Sequence, residues 1–350
     1  MNRRAALVGL GLVVVMAVLA LSLQFQRTEK QAATIAVYGS WGSAPGQLGL
    51  AKARNGGLAG PGGLAVLPDG SICVADTQNA RVQCWRSDTW EVVWKGAPGE
   101  APSFLATGSD GTLWGATTGG VVYVYRDGAN DTVATLNPAS LPGLPDIGKV
   151  ERLQLEGLGL VADGKPVADL VVLGRAGSYR ACVLLMDRAP ARTLFSVYQP
   201  ARGDGARTPP GLGPGAVGSW AVQAGTLYVE TRSGEGFGRT VFALSGQNLA
   251  GSFTVNFPEG LRGFRIVGGW PGGVYTLTWD QGPVYQVSKI TTAGHRVWDA
   301  VVARPGEKVW AAAADPRGST VAVLTGNENG WQIVLLRSET KWRLHLRGRQ

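Results

Sequence analysis

The sequence predicts an all-β fold, a six-bladed β-propeller preceded by one N-terminal transmembrane helix. Three observations carry this reading. First, one unit recurs along the chain: apolar strand, Gly turn, β-rich strand, second turn, third strand. Its first turn falls at Gly70, Gly111, Gly164, Gly225, Gly272 and Gly318, separations of 41 to 61 residues, against the roughly 40–50 residues of a four-stranded blade. Second, the 350 residues include 52 Gly and 19 Pro at 45% apolar content. That composition supplies many tight turns together with enough apolar surface for a core. Third, an uncharged run from Ala5 to Leu23 stands ahead of the repeats.

The N-terminal run is 19 residues long and follows Arg3 and Arg4. At about 1.5 Å per residue it spans close to the roughly 30 Å hydrocarbon core of a bilayer. Secretory signals carry a shorter apolar region of about 7–15 residues, so residues 1–23 read as an uncleaved signal-anchor. Val18-Leu19-Ala20 is the alternative, a small-residue cleavage site. Arg3, Arg4 and the free amine place the N-terminus inside and the large domain outside a cytoplasmic membrane, as a single-pass protein. Residues 24–33 read as a short polar tether and 34–350 as the propeller.

Within 34–350 the strands are β-branched and aromatic rather than helix-periodic, as in Thr226–Thr231 and Val274–Trp279. The two long repeat separations contain Pro-rich loops, NPASLPGLPDIG at 137–148 and QPARGDGARTPPGLGPG at 199–215. Fourth strands are expected at Trp90–Trp94, Thr132–Leu136, Thr193–Tyr198, Gly251–Val255 and Arg343–Leu346. A closed ring leaves no open sheet edge. Two segments compete for the closing strand, Thr34–Tyr38 and Trp342–Leu346.

Residues 61–85, PGGLAVLPDGSICVADTQNARVQCW, are the sharpest stretch of the chain. An apolar strand runs to Pro68-Asp69-Gly70, a second strand runs Ser71–Ala75, and a third returns over Val82–Trp85. The stretch resembles one NHL repeat, a unit of β-propellers, at Pro61, Gly63, Leu64, Ala65, Val66, Gly70, Ile72, Val74, Ala75, Asp76, Asn79, Arg81 and Val82. The lead-in Tyr38–Gly42 and Pro45–Leu48 resembles the family's linker. Ala80 replaces the His of the motif, and Cys73 replaces a usual aromatic. The resemblance implies a structural turn motif of Asp76, Asn79 and Arg81, with Asp76 and Asn79 bonding turn backbone and Arg81 pairing with Asp76. A ligand contact by Arg81 is the second reading.

If Asp76 opposes Arg81, then Cys73 opposes Cys84. Opposed strand positions have Cβ atoms about 4.5–5.5 Å apart, slightly wide for a disulfide. Two readings stand, a disulfide in an exported chain and two buried thiols acting as small hydrophobes; the spacing favours the thiols. Cys182 in ACVLLM reads as core.

Catalytic chemistry has no signature. His295 and His345 are the only histidines and neither has His or Cys neighbours at ligand spacing. No G-x-S-x-G elbow is present. Six oxygen-bearing side chains are candidates for a Ca²⁺-like site, Asp69, Asp110, Asp163, Asp280, Asp315 and Asn327, most of them in turns, where structural use is the default. The 12 Trp read as core, with a quinone-binding dehydrogenase propeller as a remote option. No catalytic, cofactor or metal residue is assigned and no cofactor is expected. The net charge of +8 is spread out, except for KWRLHLRGRQ at 341–350. Those residues read as a solvated strand and tail, with an anionic envelope surface as the second reading. Export removes a nucleic-acid partner. The function expected is a membrane-anchored extracytoplasmic binding or scaffold module for envelope proteins or glycans, more a binder than an enzyme. The alternative is a metal-assisted hydrolase or lactonase of the six-bladed type.

Overall fold

A computed structural model of the chain describes residues 25–53, 56–96, 100–107, 112–117, 121–126, 129–135, 159–160, 168–176, 179–186, 192–200, 216–223, 226–232, 238–245, 248–256, 261–282 and 284–344. These residues are all-β, with one 3₁₀ turn at Thr77–Asn79. No helix among them is long and apolar enough to cross a membrane. The apolar run Ala5–Leu23 lies outside the described residues, as do the turns at Gly111, Gly164 and Gly225.

Six four-stranded sheets contain nearly all of the strands. In five of them the strands lie in chain order, antiparallel neighbour to neighbour. The first is Gly63–Val66, Ile72–Asp76, Arg81–Arg86 and Thr89–Lys95. The expected fourth strands Trp90–Trp94, Thr193–Tyr198 and Gly251–Val255 fall inside Thr89–Lys95, Arg192–Pro200 and Asn248–Asn256; Thr132–Leu136 overlaps Ala129–Thr135, with Leu136 outside the described residues. The sixth sheet has the order Phe25–Gly39, Gly330–Leu344, Thr320–Asn327, Lys308–Ala314. Its outer strand therefore comes from the front of the chain and its other three from the back.

That order settles which segment adds the last strand. Thr34–Tyr38 lies in the outer strand Phe25–Gly39. Trp342–Leu344 is the end of the third strand, so the reading of 342–346 as a separate fourth strand is corrected. The cause is the length of Gly330–Leu344, 15 residues that run through 342–344 as one strand without a turn. Residues 25–33, expected as a polar tether, are also paired strand. Their polar composition gives no alternation, and a backbone ladder does not require one.

The first strands of the six sheets neighbour one another in a cycle. Gly63–Val66 lies beside Pro102–Thr107, then come Gly159–Leu160, Ala216–Gln223, Gly263–Trp270 and Lys308–Ala314, which returns to Gly63–Val66. Four of these inner strands carry a bulge, at Pro102/Phe104, Val217/Ser219, Ile266/Gly268 and Val309/Ala311. A bulge bends its strand and adds twist, which suits strands packed around a common centre.

The core lies between faces of adjacent sheets. Leu64, Val66, Ile72 and Val74 of the first sheet pack on Ala311, Ala322, Leu324, Trp331 and Ile333 of the sixth. The period-two alternation sends Cys73, Val82 and Cys84 to the opposite face, against Leu113 and Tyr123 of the second sheet. Cys73 and Cys84 are directly opposed and joined as a disulfide, with Cα atoms 4.0 Å apart. The favoured reading of two thiols rested on a general spacing; this rung is closer, in the range of non-hydrogen-bonded pairs. Cys182 pairs in register with Leu173; its side chain lies outside the described set.

The strand ends 25–32 and 338–344 belong to one compact unit and residues 33–337 to another. Two outcomes follow. Removing residues 1–24 will leave the melting temperature of the body unchanged, whereas removing 1–39 will expose Gly330–Leu344 as a bare edge and give aggregates on size-exclusion chromatography. Replacing both Cys73 and Cys84 with Ala will lower unfolding free energy in urea by about 2–3 kcal/mol, the loop-entropy share of a short cross-linked loop.

Candidate functional site

The second strand of the first sheet ends in Asp76, and a 3₁₀ turn follows over Thr77–Asn79. Ala80 closes that turn in the left-handed region at φ 49° and returns the chain to Arg81. Asp76 and Arg81 oppose each other on the ladder. The local sequence thus delivers four polar side chains, Asp76, Asn79, Arg81 and Gln83, to one end of the sheet.

Asp76 is fully buried. Its Oδ1 accepts the Gly49 amide at 2.7 Å. Its Oδ2 accepts from Asn79 Nδ2 at 2.8 Å, Arg81 Nε at 2.9 Å and Gln83 Nε2 at 3.3 Å. Arg81 spends its remaining nitrogens on backbone, Nη1 on the Ser43 carbonyl and Nη2 on those of Ala44 and Gln47. Gln83 clasps the same loop from both sides, donating to the Gln47 carbonyl and accepting the Gly46 amide. Asn79 also donates to the Gly42 carbonyl. Gly49 has to be glycine, since a Cβ there would sit 2.5 Å from Gln78 and 3.1 Å from Asp76 Oδ1.

The turn motif therefore binds the chain's own loop, residues 42–49. That loop follows directly on the outer strand of the sixth sheet. Trp41 Nε1 donates to the Asn327 carbonyl and Trp331 Nε1 to that of Ser40. Trp41 meets Trp310 edge to face, and Trp90 meets Trp331 in the same way. Thr77 Oγ1 reaches the other way, to the Pro102 carbonyl of the second sheet. One turn thus holds three sheets in place. Arg81, 7% exposed, has its guanidinium engaged within the protein, which leaves its ligand-contact reading without a free group.

The oxygen candidates for a metal are also engaged. Asp69 accepts the Ser71 amide and pairs with Arg86 at 3.4 Å. Burial pushes its carboxyl up, but the Ser71 bonds and Arg86 outweigh this and hold it below its usual value. Asp280 accepts the amides of Gly282 and Val284, Asp315 those of Ser319 and Thr320, and Asn327 that of Asn329. Each locks a turn. Asp110, Asp163 and His345 lie outside the described residues. Among the described residues no group of three His, Cys, Asp or Glu could hold a metal.

Three further features escaped sequence reasoning. Glu230, fully buried on the second strand of the fourth sheet, lies 3.5 Å from Arg239 on the third. This acid–arginine pairing between the two middle strands repeats that of Asp76 and Arg81. The repeated Asp/Glu-then-Arg order was the available signal. Lys308 lies over the Trp310 ring at 4.1 Å and donates to the Leu58 carbonyl; burial lowers its pKa. Arg265 sits on the inner strand Gly263–Trp270, open to solvent, while desolvation by the surrounding chain lowers its pKa. No described residue pairs with Arg265.

Arg81→Ala will cost about 3–5 kcal/mol of unfolding free energy, because it leaves the Asp76 carboxylate buried and short of its cation. Arg86→Ala, which breaks a half-exposed pair, will cost under about 1 kcal/mol. Urea melts of the two variants decide the matter; equal losses would remove Asp76–Arg81 from its central place.

Comparison with known proteins adds the following. The chain aligns in structure with a gluconolactonase from Xanthomonas campestris at TM-score 0.45 and 16% identity, over 80% of this chain and 86% of that one. It aligns with virginiamycin B lyase from Staphylococcus aureus at 0.47 and 13%, over 88% and 99%. The WD40 β-propeller domain of Doa1 gives 0.47 and 12%, over 87% and 97%. No curated protein matches the chain in sequence. Residues 58–85 match the NHL repeat, the stretch that holds the Asp76 turn and the disulfide. The described residues form an all-β fold with six four-stranded sheets, and the first of those sheets carries the NHL-repeat match.

Proposed function

We propose that the chain is a six-bladed β-propeller held outside a cytoplasmic membrane by residues 5–23, and that it binds envelope proteins or glycans. The observation that carries the binding reading is the use made of its polar groups. The candidate acids among the described residues, Asp69, Asp280 and Asp315, lock turns, and the motif arginine holds the chain's own loop. What remains is a rigid frame with loops on its faces and, on an inner strand, Arg265 with no partner among the described residues. An exposed guanidinium on an inner strand suits a carboxylate or other anionic group of a partner. The cycle of six first strands supports six blades.

The location reading draws on two supports. Nineteen uncharged residues follow Arg3 and Arg4. The Cys73–Cys84 disulfide suits an oxidising compartment.

Alkaline carbonate extraction tests the anchor: full-length protein will stay in the membrane pellet. Release into the supernatant as a product starting near Leu21 would show a cleaved signal instead. For the binding reading, Arg265→Glu will lose partners captured by the wild-type protein from detergent-solubilised membranes while keeping its melting temperature. The hydrolase alternative predicts the reverse signature. Under it, Ca²⁺ would raise the melting temperature by several degrees and a chelator would lower it; the binding reading expects neither shift.

A further inference from the structure

The fifth sheet consists of Gly263–Trp270, Gly273–Trp279, Tyr285–Thr291 and Arg296–Ala303. Its register sets Arg265 opposite Leu277, and Leu277 opposite Val287. Two residues nearer the second turn, Gly263 opposes Trp279 and Trp279 opposes Tyr285. Residues two apart on a strand share a face, so Arg265, Trp279 and Tyr285 stand on one face of this sheet. Leu277 and Val287 bury that face against Val321 and Val323 of the sixth sheet. Burial gives out toward the turn. Arg265 is exposed although Phe264, Ile266 and Leu277 around it are buried, and Trp279 and Tyr285 are half-buried. Arg265 and Trp279 are diagonal neighbours, about 7–8 Å apart, a gap that long side chains bridge.

The same turn in the first sheet has a different use. There the rung is Asp76–Arg81, a buried ion pair that clasps the linker. In the fifth sheet the rung is aromatic, with the Trp279 and Tyr285 ring centroids 5.9 Å apart and their planes at 33°. The core pair Trp94–Tyr123, by contrast, stacks at 4.3 Å and 4°, each ring covering the other. The wider, tilted pair sets its rings side by side. Two contacts hold them there. Gly263 lets the Trp279 indole lie on its backbone, where a Cβ would collide with the ring. Asp280 Oδ1 accepts the amides of Gly282 at 2.8 Å and Val284 at 3.2 Å, which fixes the turn between the two aromatics. The acid of this turn is thus spent on backbone. Arg262, exposed, adds a second cation, and its amide donates to the Trp279 carbonyl.

We propose that this end of the fifth sheet is a subsite for an acidic sugar, a pyranose ring that carries a carboxylate. The proposal rests on the glycan-binding reading above. A pyranose has an apolar C–H face that rests on an indole or phenol ring, and Trp and Tyr supply such flat contact area at low entropic cost. A carboxylate on that ring accepts two parallel N–H bonds from a guanidinium. An acidic peptide side chain would engage Arg265 and leave both rings idle, and a neutral sugar would do the reverse. The fixed turn reduces the ordering cost of binding.

The test passes full-length protein in detergent, at physiological salt, over immobilised polygalacturonate, hyaluronate and polysialate. Fully methyl-esterified polygalacturonate and dextran serve as neutral surfaces. The expected result is binding to at least one acidic polymer about ten-fold or more tighter than to either neutral one, the share of one charge-assisted hydrogen-bonded pair. Arg265→Gln will remove that difference. The double variant Trp279→Leu, Tyr285→Leu keeps every charge and will weaken binding to the same polymer by a similar factor. Arg337→Gln, at an exposed cation of the sixth sheet, will change nothing. If the aromatic variant fails to fold, the contrast between Arg265→Gln and Arg337→Gln still decides. Binding to none of the acidic polymers, or equal losses in those two variants, would overturn the subsite. Arg265-dependent capture from solubilised membranes that persists in that case leaves the binding reading standing; its loss removes both.

Discussion

The Asp76 carboxylate is the point on which the described structure turns. It is fully buried and accepts from four donors, the Gly49 amide, Asn79, Arg81 and Gln83. A buried ion is tolerable only when its charge is paired and its lone pairs are filled, and both conditions hold. Only one of the four donors is remote in sequence. Gly49 brings the linker into the site, and Arg81 and Gln83 then fix the linker's other carbonyls. The turn therefore converts a local sequence motif into a long-range joint between the front of the chain and the first sheet.

The joint matters because of the chain's topology. The sixth sheet takes its outer strand from residues 25–39 and its others from 308–344. Without the linker clasp, that outer strand would be joined to the first sheet by an unrestrained loop. Apolar packing completes the join. Leu48, adjacent to Gly49 and fully buried, sits in the cluster shared by the first and sixth sheets, with Val37 and Trp41 packed against it. The Trp41 and Trp331 indole donors tie the same segment to Asn327 and Ser40. Polar clasp and apolar seam act on one stretch, residues 37–49.

Much of this was legible in the sequence where the signal is local. The turn at Asp76–Arg81 and the opposition of Cys73 to Cys84 follow from hairpin geometry within 25 residues. The fourth strands at Trp90–Trp94 and Gly251–Val255 follow from β-rich runs between turns. What was not legible depends on distant partners. Residues 25–33 are polar and carry no strand pattern; they pair because Gly330–Leu344 offers a backbone edge. The recipients of Arg81 are carbonyls of Ser43, Ala44 and Gln47, and a carbonyl has no residue-type signature. The Glu230–Arg239 pair was missed because its acid lies within a strand rather than at a turn. The disulfide was under-weighted because an average strand spacing replaced the closer spacing of this rung.

Functionally, the polar chemistry of the described residues is directed inward, at turns and at the closing loop, which is the pattern of a rigid frame. Native-state hydrogen exchange on Asp76→Asn tests the central claim most directly, because the substitution removes charge and keeps shape. If Asp76 clasps the two ends of the chain, protection will fall together over 40–49, over 33–39 and over 330–337, while 273–291 keeps its protection. Loss confined to 72–83 would show a turn that stabilises only its own hairpin, and would contradict the account.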